Sequence, residues 1–157
     1  MNAPGNVPVI VKVQNAPFDV GAEYAAFRAG LCCGAVVSFT GIVREHGGDA
    51  RVNAMTLEHY PGMTERAITE ICEEARRRWP LKKVLAIHRY GRLAPDEDIV
   101  LVITAADHRA DAFEAAQFLM DWLKTKAPFW KLEETDEGAR WVAAKDSDDE
   151  AAARWTR

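Results

Sequence analysis

Residues 99–126 read IVLVITAADHRADAFEAAQFLMDWLKTK, and they change periodicity once. Ile99 to Ala106 is an apolar run of strand length, rich in β-branched residues. From about Arg109 to Lys126 the spacing becomes helical, because Ala112, Ala115, Ala116, Leu119, Met120 and Leu123 fall on one stripe. Pro128 ends that helix, since it pushes residue 127 out of the helical region. A buried strand that feeds a long amphipathic helix is the unit around which the rest of the chain is read.

Working outward, Val9 to Val13 (VIVKV) predicts a short strand, and Val20 to Arg28 a small helix with Asp19 as its N-cap. Gly34 to Val43 (GAVVSFTGIV) predicts a central strand. Arg44 to Arg51 (REHGGDAR) is polar and holds Gly47 and Gly48, which predicts a mobile loop before a strand over Val52 to His59. Pro61 is placed to open a helix through Met63, Ala67, Ile68, Ile71, Cys72, Ala75 and Trp79, with Pro80 as its stop. On its outer face Glu73 with Arg77 and Glu74 with Arg78 sit at i,i+4, so Arg76 to Arg78 reads as a solvated helix end. Lys83 to Tyr90 is a further strand, joined to Ile99–Ala106 by the turn-rich GRLAPDED. Phe129 to Glu133 is extended, and TDEGAR turns into a last strand near Arg140 to Ala144. Helices alternating with hairpin-like strand pairs give an α+β fold with an antiparallel sheet and two long helices.

The 157 residues are expected to form one domain, with a charged tail over about 145–157 that orders only by docking. Net charge is −4, which offers no general attraction to nucleic acid or anionic lipid; a bound anion needs a local basic cluster. The N-terminus has neither the basic start nor the apolar core of a signal peptide, and Ile99–Ala106 is too short to span a bilayer. A soluble cytoplasmic protein is expected. Cys32, Cys33 and Cys72 lack CxxC spacing, which suits reduced, partly buried thiols.

Lys124 and Lys131 are the residues on which chemistry could rest. Lys124 falls in the last turn of its helix, where the helix dipole by itself favours a cation. In an extended segment Phe129, Lys131 and Glu133 share one face, and Trp130 and Leu132 take the other. If the corner at Pro128 brings Lys124 and Lys131 together, each lowers the other's pKa and the pair becomes useful for proton transfer. Lys126 points about 200° away from Lys124 around the helix and is read as surface. Arg44 follows a strand, and His108 with Arg109 lies between a strand and its helix; both are places where phosphate contacts occur, though loop salt bridging or N-cap packing explains them equally well. His59 and His88 read as interior or edge histidines. Ligand spacing for a metal, a P-loop, GxGxxG and GxSxG are all absent from the sequence.

Seven blocks, GAVVSFTGIVR (34–44), LEHYPGMTE (57–65), RWPL (78–81), IHRYG (87–91), HR (108–109), FEAAQFLMDWLKTKAPFWKLE (113–133) and EGARWV (137–142), occur in an order that resembles the large, catalytic subunits of molybdopterin synthase. The resemblance implies an α/β hammerhead-type fold and a homodimer of large subunits. It also implies a small ubiquitin-like subunit with a C-terminal Gly-Gly at each end of a heterotetramer. That tail, as a thiocarboxylate, would supply two sulfurs that convert cyclic pyranopterin monophosphate (precursor Z) into the dithiolene of molybdopterin, with no further cofactor. Lys124 and Lys131 match the catalytic lysines. Arg44, His108 and Arg109 match positions that hold the pterin phosphate, some of them in the neighbouring subunit's pocket. Ile42 and Val43 beside Arg44, and Leu132 and Glu133 after Lys131, complete the substrate wall. Phe39, Met120 and Arg140 are further pocket or partner contacts. No cysteine is given a role. A noncatalytic module that only docks a ubiquitin-like tail, or a hydrolase acting without a partner, are the competing readings.

Overall fold

A computed structural model describes residues 7–47, 50–142 and 146–156. The chain begins with β1 (Val9–Gln14), α1 (Val20–Arg28), β2 (Ala35–Ile42), β3 (His46–Gly47) and β4 (Ala50–His59). It continues through α2 (Met63–Arg78), β5 (Leu81–Arg89), β6 (Gly91–Leu93), β7 (Asp98–Ala106) and α3 (Arg109–Thr125), and closes with β8 (Phe129–Thr135), β9 (Gly138–Val142) and α4 (Asp146–Ala153). The fold is α+β, as the alternation of periods predicts.

The first sheet has the order β1-β5-β7-β2, antiparallel except for the parallel pair β1 and β5. Its central strands are covered on both faces, which is why their sequences run continuously apolar instead of alternating with polar residues. Successive side chains go to opposite faces. Val84, Ala86, Val100 and Val102 meet α2 and α3 through Ile68, Ile71, Ala115 and Leu119, while Leu85, Ile87, Leu101 and Ile103 meet α1 through Phe27. Gly34 lies against the corner where β7 turns into α3. A Cβ there would collide with the backbone carbonyl of Asp107, so the residue leading into β2 at that point has to be glycine.

The second sheet is built on β4, which pairs with β3, β6 and β8, and β8 pairs in turn with β9. Met55, Leu57, Leu93 and Val43 form its small core, and Ile99 and Phe129 pack on both this core and the large one. The two sheets therefore meet at the start of β7 and the start of β8.

Several expectations change. The polar stretch after Arg44 is not wholly loop: His46–Gly47 pairs with Ala50–Arg51, so β4 begins before Val52; Gly48 lies outside the described residues. Pro61 does not open α2, because the N-cap is Gly62 at φ 82°, a left-handed conformation that suits glycine, and its N–H donates to Glu65 Oε2 at 2.6 Å. Glu73 pairs with Arg76 at i,i+3, not with Arg77. The connection GRLAPDED contains β6. The last strand starts at Gly138 and is described to Val142; 143–145 lie outside the described residues.

The tail orders by docking. Trp155 packs edge-on against Trp79 and Phe118, its indole N–H donates to Asp121 Oδ2 at 2.7 Å, and its carbonyl accepts from Arg78 Nη1 at 2.6 Å. Arg78 also lies over the Phe118 ring, so this arginine is a packing residue and not part of a solvated end. Among the described residues no helix is long and apolar enough to cross a membrane.

Candidate active site

A cavity of about 790 Å³ opens where the two sheets meet. The end of α3 supplies Met120, Leu123, Lys124 and Thr125; β8 supplies Phe129, Trp130 and Lys131; β4 gives Met55 and Leu57; β9 gives Trp141 and Val142; His88, Ile99, Val100, Ala127 and Arg44 complete the lining. Three basic side chains thus face one space with mainly apolar walls, in a chain whose net charge is negative. That combination suits a ligand with an apolar or aromatic body and an anionic group.

The corner after α3 sets the two lysines. Lys126 caps the helix, its N–H donating to Trp122 O at 2.7 Å, and Phe129 N–H donates to Ala127 O at 2.8 Å. The chain reverses across Pro128 within a few residues, so the last helical turn and the first residues of β8 border the same cavity. Lys126 lies on the other side, in the cleft formed with Trp122 and Trp155.

Lys131 sits mid-sheet, with Leu57 of β4 and Val142 of β9 as register partners. Its ammonium is 3.4 Å from Glu133 Oε1, and the other oxygen of that buried carboxylate is 3.3 Å from Arg140 Nη2. Glu133, 5% exposed, is the shared counter-ion of two cations and fixes the ammonium end of Lys131 on its own face of the strand. The expected face sharing of Phe129, Lys131 and Glu133 is what the alternation of β8 gives, although Trp130, partly exposed, also reaches the cavity edge.

Arg44 is aimed by a bulge. The β2–β7 register shifts between Gly41 and Ile42, after which Val43 exchanges backbone hydrogen bonds with Glu97 O (2.9 Å) and Asp96 N–H (2.8 Å). Val43 is buried in the small core, Ile42 is 51% exposed, and Arg44 reaches the cavity edge.

Of the expected site residues, Arg44, Met120, Lys124 and Lys131 line the cavity. Ile42, Val43, Leu132 and Glu133 lie next to lining residues without facing it. Phe39 is exposed on β2, and Arg140 stands outside, paired with Glu133. His108 and Arg109 are exposed at the opposite end of α3, about 22 Å from Lys124 along the helix; within one chain they do not join the cavity. His108 is the N-cap residue, but its side chain makes no capping hydrogen bond.

His88 is the lining residue that motif reading passes over. It follows Val84 and Ala86 on the face of β5 toward α2 and α3, so the alternation of that strand contains the signal. Its ring stacks on Phe129 at 4.0 Å, and its Nδ1 lies 2.9 Å from Arg89 O. Burial lowers its pKa to about 4; the Arg89 carbonyl opposes this, and the charges of Lys124 and His59 add to it. The ring is enclosed although part of the residue's surface meets the cavity. Trp141, Met55 and Leu57 reach the cavity only through strand pairing, and no local pattern announces them.

Cys72 is fully buried, and burial followed by the charge of Glu73 pushes its thiol up to about 12. It is an inert core residue.

Residues 13–126 match the MoaE protein family. The chain is 58% identical over 146 residues to the molybdopterin synthase catalytic subunit of Cereibacter sphaeroides, covering 92% of this chain and 99% of that protein. Among solved structures it superposes with a TM-score of 0.81 on the molybdopterin biosynthesis MoaE protein of Burkholderia ambifaria, at 50% identity, covering 95% of this chain and 99% of that one. The fold also matches, at a TM-score of 0.68 and 19% identity, a chain of the complex of subunits 1 and 2 of molybdopterin-converting factor from Helicobacter pylori, with 87% and 90% covered.

Proposed function

The chain belongs to the MoaE family, which includes molybdopterin synthase catalytic subunits, and from that premise we propose that it converts precursor Z to molybdopterin as a sulfurtransferase. Sulfur arrives on the thiocarboxylated C-terminus of a small ubiquitin-like partner, in two transfers that build the dithiolene, and no cofactor resident in this chain takes part. The observation that carries this reading is the convergence of Lys124 and Lys131, from two different elements, on one cavity with Arg44 at its edge.

The cavity divides the work. Apolar walls from Met55, Leu57, Phe129 and Trp141 receive the flat pterin body and exclude water. The ammonium groups face the place where negative charge concentrates, on the thiocarboxylate and on the phosphate as its ring opens, and preorganised cations stabilise such charge without reorganising. A lysine can also deliver and recover a proton as each carbon–sulfur bond forms. Glu133, held between Lys131 and Arg140, keeps the Lys131 side chain placed while leaving its ammonium partly open. Arg44 suits the phosphate through its planar fork.

His108 and Arg109 act in this proposal from a second copy of the chain. The homodimer brings their exposed helix end to the neighbour's cavity, where they hold the pterin phosphate, and one small subunit binds at each end of the dimer. The H. pylori complex of two subunits is the precedent for that last contact. The work is placed in the cytoplasm.

The test is reconstitution: purified chain, precursor Z and thiocarboxylated small subunit are mixed and the dithiolene product is measured. No product with a competent partner sinks the proposal. Turnover of a phosphorylated small molecule without any partner supports a hydrolase instead, and tail binding without turnover supports a docking module.

A further inference from the structure

We propose that Glu97 is a positioning residue for Arg44, its carboxylate bracing the turn that grips the backbone just before that arginine. The inference rests on the sulfur-transfer reading for what Arg44 holds, the pterin phosphate, and on hydrogen bonds within the chain for the grip itself. Arg44 stands two residues beyond the last pair of the β2–β7 ladder, Ile42 with Asp98. Past that pair the connection between β6 and β7 takes over. Val43 donates its N–H to Glu97 O at 2.9 Å and accepts on its carbonyl from Asp96 N–H at 2.8 Å, so one turn holds both backbone groups of the residue preceding Arg44.

That turn has Pro95 second, Asp96 third at φ 73°, and Glu97 N–H donating to Ala94 O at 3.2 Å, which is the pattern of a type II turn. A type I turn would flip the Pro95–Asp96 peptide and carry the Asp96 N–H away from Val43. Asp96 is the one residue other than glycine with positive φ among the described residues, a conformation that persists only where its surroundings impose it. Glu97 supplies that constraint. Its Oε2 accepts from Ala94 N–H at 2.6 Å across the turn, and its Oε1 lies 3.4 Å from Nη1 of Arg89. Arg89 is buried and itself fixed, donating to Asn15 O at 3.0 and 3.1 Å and to Asp98 O at 3.2 Å. The Ala94 N–H, with Arg89 behind it, holds the Glu97 carboxyl below the usual carboxylate range against the opposing effect of desolvation, so the brace is ionised at neutral pH. On the far side of Arg44, Glu45 O accepts from Val52 N–H at 2.7 Å. Arg44 is therefore strung between two anchored residues, and from there its side chain reaches the cavity edge. A guanidinium fork recognises a phosphate only at a set angle, which a fixed backbone provides.

Two readouts separate the grip from the reaction. In the chain alone, Glu97→Ala is expected to speed amide hydrogen exchange at Val43 about tenfold, while Val102 in the middle of β7 keeps its wild-type protection. In the reconstituted reaction Glu97→Ala is expected to raise KM for precursor Z about fivefold with kcat near wild type. In an Arg44→Ala background the same substitution is expected to add nothing, because the residue it places is gone. Glu97→Gln, whose amide oxygen can accept from the Ala94 N–H, is expected to recover most of the KM. Unchanged Val43 exchange, an unchanged KM, or an equal KM increase with and without Arg44 overturns the proposal. If Glu97→Ala fails to fold, Glu97→Asp, one methylene too short to span the turn, decides through the same cycle. Failure of the wild-type chain to form product counts against the sulfur-transfer reading alone, because the exchange measurement involves no substrate.

Discussion

The two ends of α3 carry basic residues of similar promise in the sequence and have different surroundings in the structure. At the C-terminal end Lys124 enters a cavity closed by β4, β8 and β9, with Lys131 and His88 in the same lining. At the N-terminal end His108 and Arg109 stand exposed, about 22 Å away. A cation needs partners from other elements to become a site. The chain corner at Pro128 supplies them at one end, while the helix start after the β7–α3 corner stays exposed.

The largest effect is expected from the closed end. Lys131→Ala and Lys124→Ala each lower product formation about 10²- to 10³-fold in the reconstituted assay, with little change in thermal unfolding; full activity in either variant breaks the distinction between the two ends. Next is the acid limb of stability, read by urea unfolding across pH. The folded-state pKa of His88 is near 4, below the 6.5 of an exposed histidine, so the unfolded chain binds the extra proton first. The stabilisation from a neutral His88 is complete above pH 6.5 and is lost as pH falls from 6.5 to 4. It amounts to at most about 3 kcal/mol, reduced by whatever water the open side of the cavity holds. His88→Phe flattens this limb, and a wild-type curve flat between pH 6.5 and 4 contradicts an enclosed ring.

Smaller again is the support behind the closed end. Trp155→Phe removes an indole N–H from the buried Asp121 carboxylate, which Gln117 still contacts at 2.8 Å. It should cost about 1 to 2 kcal/mol in unfolding free energy; an unchanged urea midpoint would mean that the Trp155 indole N–H contributes nothing to holding α3. The smallest expected effect lies at the open end, where Arg109→Ala raises KM for the pterin about tenfold and leaves kcat near wild type. Mixing Arg109→Ala chains with Lys131→Ala chains sharpens the comparison. Mixed dimers regain one intact site if Arg109 serves the neighbour's cavity, and regain none if it serves its own.

Local patterns carried much of this molecule. The switch from the apolar run at Ile99 to the stripe through Ala112, Leu119 and Leu123 places β7 and α3 within a residue or two of their observed bounds, because burial on two faces and burial on one stripe leave different periods. Pro128 marks the corner. Pro61 misleads, because Gly62 alone tolerates the left-handed N-cap conformation and moves the helix start two residues on. His46–Gly47 and Gly91–Leu93 are too short to leave a period, and only their pairing with β4 makes them strands.

The sequence by itself determined the α+β class and the family, and it named Lys124, Lys131, Arg44, His108 and Arg109 as candidate basic residues, since each of these is written in spacing or in a quoted motif. Tertiary structure alone decided that His88, Trp141, Met55 and Leu57 share their cavity, that Glu133 bridges Lys131 to Arg140, and that His108 and Arg109 stand apart from it within the chain. Strand pairing and helix length set those distances, and both are properties of how elements meet, which no single stretch of chain encodes.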